Sequence, residues 1–289
     1  MSRLALGTVQ FGLAYGVANR CGQVSRPAAK AMLVLAADNG VDTLDTAIAY
    51  GESEACLGEV GTDGFKVVSK LPALPEFCEH IHAWVLEQVA LSLARLGVSS
   101  MYGLLLHRPE QLLEAHGSAL YLALQRLKEA GRVQKIGISI YDPDQLNALV
   151  SRYRFDLVQA PLNLVDRRLE ASGWLQRLKD EGIEVHTRSA FLQGLLLMSQ
   201  SAIPQAFAPW ADMWGRWHGW LGSHGISAVQ ACLAYPLSLP GIDRVVVGAD
   251  SVSQLSQILD AAASASPRDF PDLQCDDEDL INPVRWTLS

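Results

Sequence analysis

The chain has 289 residues, 49% of them apolar and 19% charged, with a formal net charge of −8. A sequence of this length and apolarity can bury a large core, and its acidic total argues against a nucleic-acid or anionic-membrane partner, whose phosphates would repel it. Five scattered cysteines (Cys21, Cys56, Cys78, Cys232, Cys275) include no CxxC pair, so neither a zinc-ribbon site nor a disulfide framework is expected, and no metal centre with it. The opening MSRLALGTVQFG sets Arg3 and Gln10 too close to its short apolar run for a secretory signal. No run approaches the ~18 apolar residues of a membrane span. A soluble, cytoplasmic protein is expected.

In chain order, short β-rich apolar runs alternate with stretches of helical period. The first strand is predicted over Leu4–Val9 and a helix over Arg26–Asn39, with Ser25 as its cap and Pro27 in its first turn. A strand over Thr43–Thr46 and another over Lys66–Lys70 follow, then a helix over Glu79–Leu96. Next come a strand over Met101–His107, a helix over Ser118–Ala130, a strand over Lys135–Ile140 and a helix over Pro143–Val150. The pattern closes with strands over Leu157–Ala160, Glu184–Ser189 and Arg244–Val247, and helices over Ala171–Glu181 and Val252–Ala262. Gly40, Gly131 and Gly182 each stand just past a helical stretch, where a left-handed residue ends it. Eight strands with intervening helices, and no GxGxxG after the first strand, predict a single (β/α)8 TIM barrel over residues 1–289 rather than an open doubly wound sheet.

Such a barrel gathers functional groups where its strands end. Asp45 ends the second strand, Tyr50 follows in the loop, Lys70 ends the third and His107 the fourth. Each alone has an ordinary reading: a cap, a core aromatic, a solvated lysine, a hydrogen-bonded histidine. Together on one rim they form a recognisable chemical unit. A phenol is a poor acid at neutral pH; a neighbouring ammonium favours its phenolate, and a carboxylate keeps that ammonium charged. Tyr50 could then protonate a carbonyl oxygen while His107 polarises it.

The segment Asp45-Thr46-Ala47-Ile48-Ala49-Tyr50-Gly51-Glu52-Ser53-Glu54-Ala55-Cys56-Leu57-Gly58 closely resembles the DTAxxYGxSExxLG signature of the aldo/keto reductases. Leu6-Gly7-Thr8-Val9-Gln10-Phe11-Gly12 is similar to the family's first strand and turn. Ser69-Lys70 and Leu106-His107 fall where its lysine and histidine belong. The resemblance runs in order over nearly the whole chain. It implies a catalytic tetrad of Asp45, Tyr50, Lys70 and His107, a nicotinamide cofactor (NADP, with NAD as the alternative) and a small-molecule carbonyl substrate.

On the cofactor side the resemblance adds Gly7 and Thr8, then Ser139 and Gln159 as carboxamide ligands, with Asn163 completing a QxxxN pattern. It adds Gly248, Ala249 and Gln254 for the pyrophosphate at a helix start. The chain departs from the pattern at four places. Ile140 replaces an asparagine, Arg188 an aromatic that stacks on the nicotinamide, Asp250 a basic residue common near the 2′-phosphate, and Ile258 a further asparagine. Arg188 could stack on the cofactor or grip a substrate; Arg244 is a candidate replacement cation for the phosphate. The departures keep two other readings open, a nucleotide-binding sensing barrel and an isomerase or epimerase without net redox. Tyr15–Gly22 and Arg188–Leu197 are similar to a bacterial subgroup tied to surface-sugar synthesis, which implies a sugar or nucleotide-sugar substrate. Trp210, Trp214, Trp217 and Trp220 share a helical face, either packed on the barrel or walling the substrate, and the tail from Asp276 is expected to reach the barrel mouth.

Overall fold

The computed structural model describes residues 2–286 apart from 18, 20, 265, 266 and 268. Eight parallel strands close into a barrel in sequence order: β1 (Leu4–Gly7), β2 (Thr43–Asp45), β3 (Lys66–Leu71), β4 (Met101–Leu106), β5 (Val133–Ser139), β6 (Leu157–Pro161), β7 (Glu184–Arg188) and β8 (Arg244–Val247), with β8 pairing back onto β1. Helices Arg26–Asp38, Ile81–Leu96, Gly117–Glu129, Gln145–Arg152, Trp174–Asp180, Ala228–Ser238 and Val252–Ala263 account for most of the crossovers. Their apolar faces supply much of the large buried cluster between the strands and the outer ring. Within the barrel, Val68, Leu105 and Leu157 form a smaller apolar plug packed by Tyr102.

The local signals explain where elements stop. Gly40, Gly131 and Gly182 all take positive φ (73°, 69° and 72°), the backbone state that costs glycine least. Ser25 caps its helix by accepting from the Ala28 amide, with Pro27 in the first turn. Most expected boundaries shift by a residue or two, and two differences have a clear local cause. The first strand ends at Gly7 rather than Val9, because Val9–Gly12 turns into a short helix beneath the barrel mouth. The helix expected from Ala171 is broken at Gly173, whose φ of 78° leaves a separate turn at Arg168–Ala171 and starts the helix at Trp174. All five cysteines are free thiols. No helix among the described residues is long and apolar enough to cross a membrane.

Of the tryptophan stripe, Trp214, Trp217 and Trp220 lie on helix Ala211–His224 and Trp210 stands at its cap; Trp214 and Trp217 are buried and their indole N–H groups donate to the carbonyls of Phe207 (3.0 Å) and Leu196 (3.1 Å). Packing is therefore its role, and its effect on the cleft is indirect, through the Leu192–Leu197 segment it clamps. The described part of the C-terminal tail packs near the loops after β5 and β6 without lining the cleft, and residues 287–289 lie outside the described residues. Leu280 and Ile281 are buried, Trp286 meets Phe207 edge-on at 4.9 Å, and Arg285 pairs with Glu278 and Asp279 on the surface.

Candidate active site

Side chains alternate along a strand, so residues in register on neighbouring strands share a face. The registers Gly7↔Asp45, Asp45↔Val68, Ser139↔Gln159 and Pro161↔Arg188 bring these groups to the C-terminal end of the barrel interior. They open onto a cleft of about 440 Å³.

The deepest pair is ionic. Lys70, 1% exposed, donates from Nζ to Asp45 Oδ1 at 2.6 Å and to the Thr46 carbonyl at 2.9 Å. Burial alone would strip its charge, yet attraction to Asp45 and Tyr50 outweighs it, and the ammonium is held more firmly protonated than usual. The same ammonium lies 5.0 Å from the centre of the Tyr50 ring. Asp45 Oδ2 is satisfied separately, accepting from Gln159 Nε2 at 2.6 Å. Tyr50 packs edge-on to His107, ring centres 5.9 Å apart, and both line the cleft. Burial, with Lys70 and Arg188 nearby, pushes the His107 imidazole down to about 4, so it is neutral at ordinary pH. The four sequence-predicted residues thus meet at one place.

Tyr50 is aimed by the loop that carries it. The Ile48 amide donates to the Lys70 carbonyl and the Tyr50 amide to Ala47, which fold the chain back over β3. Gly12 and Gly51 allow this loop to lie against the first turn. A Cβ on Gly12 would fall 1.8 Å from the Tyr50 carbonyl oxygen, and Gly51 takes a φ of +53°.

The rest of the signature is scaffolding that sequence reading left without a role. Ser53 Oγ bridges the ends of β1 and β2 through the Thr8 carbonyl (2.8 Å), Thr8 Oγ1 (2.9 Å) and Thr46 Oγ1 (3.0 Å). Glu54, 1% exposed, accepts from Ser69 (2.7 Å), Ser92 (2.6 Å) and Arg95 (2.7 Å), tying its helix to β3 and to Ile81–Leu96. Gly58 admits the Arg95 carbonyl to within 2.0 Å of where a Cβ would stand.

The expected cofactor residues divide. Gly7, Thr8, Ser139, Gln159, Arg188, Gly248, Ala249 and Gln254 all line the cleft. The Thr8 hydroxyl, however, is committed to Ser53 and the Asp45 carbonyl. Ser139 and Gln159 are joined at 3.3 Å, linking the cofactor side to Asp45. Asn163 is a brace: its amide accepts from the Val165 and Asp166 N–H groups and donates to the Ser189 carbonyl. That contact secures a wall in which Ser189, Leu192 and Gln193 all carry positive φ, a backbone state that persists only where the surroundings enforce it. Arg244 does not serve the phosphate. It starts β8, at the far end of the barrel, and pairs there with Asp42 at 3.1 Å.

The cleft has features a dinucleotide would use. The buried Oε1 of Gln10 has no hydrogen-bond partner, and the end of the Gln10 side chain packs within 2.5 Å of where a Cβ on Gly248 would stand. Beyond Gly248 and Ala249, Ser251 caps helix Val252–Ala263 by accepting from the Gln254 amide, leaving a helix N-terminus at the cleft edge.

The aldo/keto reductase family model matches residues 3–273. The chain is 27% identical over 206 residues to the Bacillus subtilis aldo-keto reductase YhdN, spanning 68% of this chain and 60% of that protein. Its fold is similar to the crystal structure of PA4992, the Pseudomonas aeruginosa protein described as a putative aldo-keto reductase (TM-score 0.68, 24% identity, 91% of this chain and 90% of that one). It is also similar to the holo form of aldo-keto reductase AKR11C1 from Bacillus halodurans (TM-score 0.74, 20% identity, 92% and 88%). The chain belongs to the aldo/keto reductase family of NAD(P)H-dependent oxidoreductases.

Proposed function

We propose that this protein reduces an aldehyde or ketone to the alcohol with Tyr50 as the proton donor. The observation that carries the reading is the buried Lys70–Asp45 pair, with its ammonium 5.0 Å from the Tyr50 ring at the floor of a cleft. When bound, a reduced nicotinamide supplies hydride to the carbonyl carbon. This chain's residues handle the oxygen. Tyr50 gives its hydroxyl proton to the carbonyl oxygen, and the Lys70 ammonium stabilises the negative charge left on the phenolate. Asp45 fixes the ammonium in place, and Gln159 fixes Asp45. His107, kept neutral, donates an N–H to the same carbonyl oxygen without adding a second full charge beside Lys70.

Gly248, Ala249 and the Ser251-capped helix end would hold the pyrophosphate, with Ser139 and Gln159 reaching the carboxamide. Asp250 supports NADH as the better cofactor of the two. Its carboxylate accepts from Asn19 Nδ2 at 3.2 Å beside the expected 2′-phosphate position, where a dianion would be repelled. A sugar or nucleotide-sugar substrate remains the reading from the two loop resemblances, and those loops do meet across the cleft, where Gln193 Nε2 donates to Tyr15 Oη at 3.1 Å. The test is consumption of NADH and NADPH with a panel of aldehydes, paired with tryptophan-fluorescence titration of each cofactor. Quenching by neither cofactor, with no aldehyde turned over, would overturn the proposal.

A further inference from the structure

Resting on that reading of the cleft, we propose that Arg188 is an oxyanion-recognition residue: the preferred substrate carries a carboxylate or phosphate in addition to its carbonyl. Two departures from the family pattern meet here. Arg188 donates from Nη2 to the Ile140 carbonyl at 3.0 Å and from Nη1 to Ser189 Oγ at 3.3 Å. Its guanidinium lies 4.3 Å from the centre of the Tyr141 ring, within the range of a cation–π contact. Tyr141 is a rigid platform, because its amide donates to Gln145 Oε1 (2.9 Å) and its carbonyl accepts from Arg168 (3.0 Å).

Every partner of Arg188 among the described residues is neutral. Arg168, by contrast, is matched by Asp166 and Asp142, and Arg244 by Asp42. Among the described residues lining the cleft, Arg188 is the only lysine or arginine. It shares the cleft with Tyr50 and His107, and its charge contributes to lowering the His107 pKa. A part-buried guanidinium with donors left over and no carboxylate of its own is suited to an incoming oxyanion, which it can meet with two parallel N–H bonds. Stacking on Tyr141 and bonding to Ile140 hold the fork in place before any ligand arrives, so little rotamer freedom is lost on binding.

Two matched substrate pairs separate the sources of the anion: 4-carboxybenzaldehyde against benzaldehyde, and D-glyceraldehyde 3-phosphate against D-glyceraldehyde. The readout is the ratio of kcat/KM within each pair. For the wild type the charged member of at least one pair is favoured. In Arg188→Met that ratio falls about 10- to 100-fold, as expected for loss of a charge-assisted contact, and Arg188→Lys restores part of it. A ratio that responds in the first pair alone assigns a carboxylate, and in the second alone a phosphate. Unchanged ratios in both pairs overturn the inference, as does a loss confined to cofactor affinity measured by fluorescence titration. Failure of every aldehyde, neutral ones included, would instead sink the carbonyl-reductase reading itself.

Discussion

The two ends of the barrel carry the same three chemical groups and use them differently. At the C-terminal end Lys70 faces the Tyr50 ring at 5.0 Å, with Asp45 beside it. Toward the N-terminal end Lys135 faces the Tyr102 ring at 5.0 Å, with Glu184 beside it. In the lower cluster the phenol itself donates to the carboxylate, Tyr102 Oη to Glu184 Oε2 at 2.7 Å. Burial and Glu184 together raise the Tyr102 pKa, while Glu184 is held well below the usual carboxylate range because hydrogen bonds from His186, Lys135 and Tyr102 outweigh its burial. That phenol keeps its proton. In the upper cluster Asp45 accepts from Lys70 and from the Gln159 amide rather than from the phenol. The hydroxyl stays available at the cleft. Whether the phenol itself donates to the carboxylate, rather than which residue types are present, separates a structural lock from a proton donor.

The sharpest way to break this comparison is to remove the upper phenol. Tyr50→Phe should lower kcat about 10³-fold, the range of general-acid catalysis, equivalent to about 4 kcal/mol, while the fluorescence-titrated cofactor Kd stays within about twofold. Retention of most of the rate would show that another group protonates the oxygen. Lys70→Met tests the pair beneath it. It leaves the Asp45 carboxylate buried opposite a methyl group, which should cost about 3–5 kcal/mol of stability in chemical denaturation and turnover along with it. A variant as stable as the wild type would mean the pair is not buried as described.

His107 sharpens the comparison through pH. Its imidazole falls from 6.5 to about 4 on folding, burial being the main cause. Between those values the unfolded chain binds a proton that the native protein refuses, so stability is full above pH 6.5 and falls as pH drops toward 4. The contribution is about 3 kcal/mol. Denaturation of wild type and His107→Gln from pH 7 to pH 4 should therefore give a shallower decline for the variant. Parallel curves would contradict a histidine held neutral, and with it the role of an uncharged donor.

What could be read in the sequence depended on whether the cause was local. Asp45, Tyr50, Gly51, Ser53 and Glu54 lie within ten residues, and strand ends mark Lys70 and His107, so the upper site was visible as a pattern. The lower cluster draws Lys66, Tyr102, Lys135 and Glu184 from four strands with no motif around any of them, and only the closed topology brings them together. Helix Ala228–Ser238 escaped a period-based reading because six of its residues are buried and Pro236 interrupts it, which blurs the apolar stripe. The strained wall at Ser189, Leu192 and Gln193 has no glycine at those positions to announce it. Nor did the sequence show that the partners of Arg188 are neutral, because Ile140 and Tyr141 reach it from the end of another strand.

The smallest expected effect belongs to the lower phenol, and it completes the contrast. Tyr102→Phe removes one hydrogen bond to Glu184, whose carboxylate still accepts from Lys135 and His186. The ring, its packing on Val68, Leu105 and Leu157 and its contact with Lys135 remain. A hydrogen bond to a charged group contributes about 1.5–3 kcal/mol, and the two remaining donors place the expected loss at the low end, about 1.5 kcal/mol in chemical denaturation. Turnover at saturating substrate should stay within about twofold of wild type, because no group at the cleft depends on that hydroxyl. If instead the rate fell as steeply as in Tyr50→Phe while stability held, the two clusters would be coupled through the barrel interior, and the distinction between lock and donor would fail.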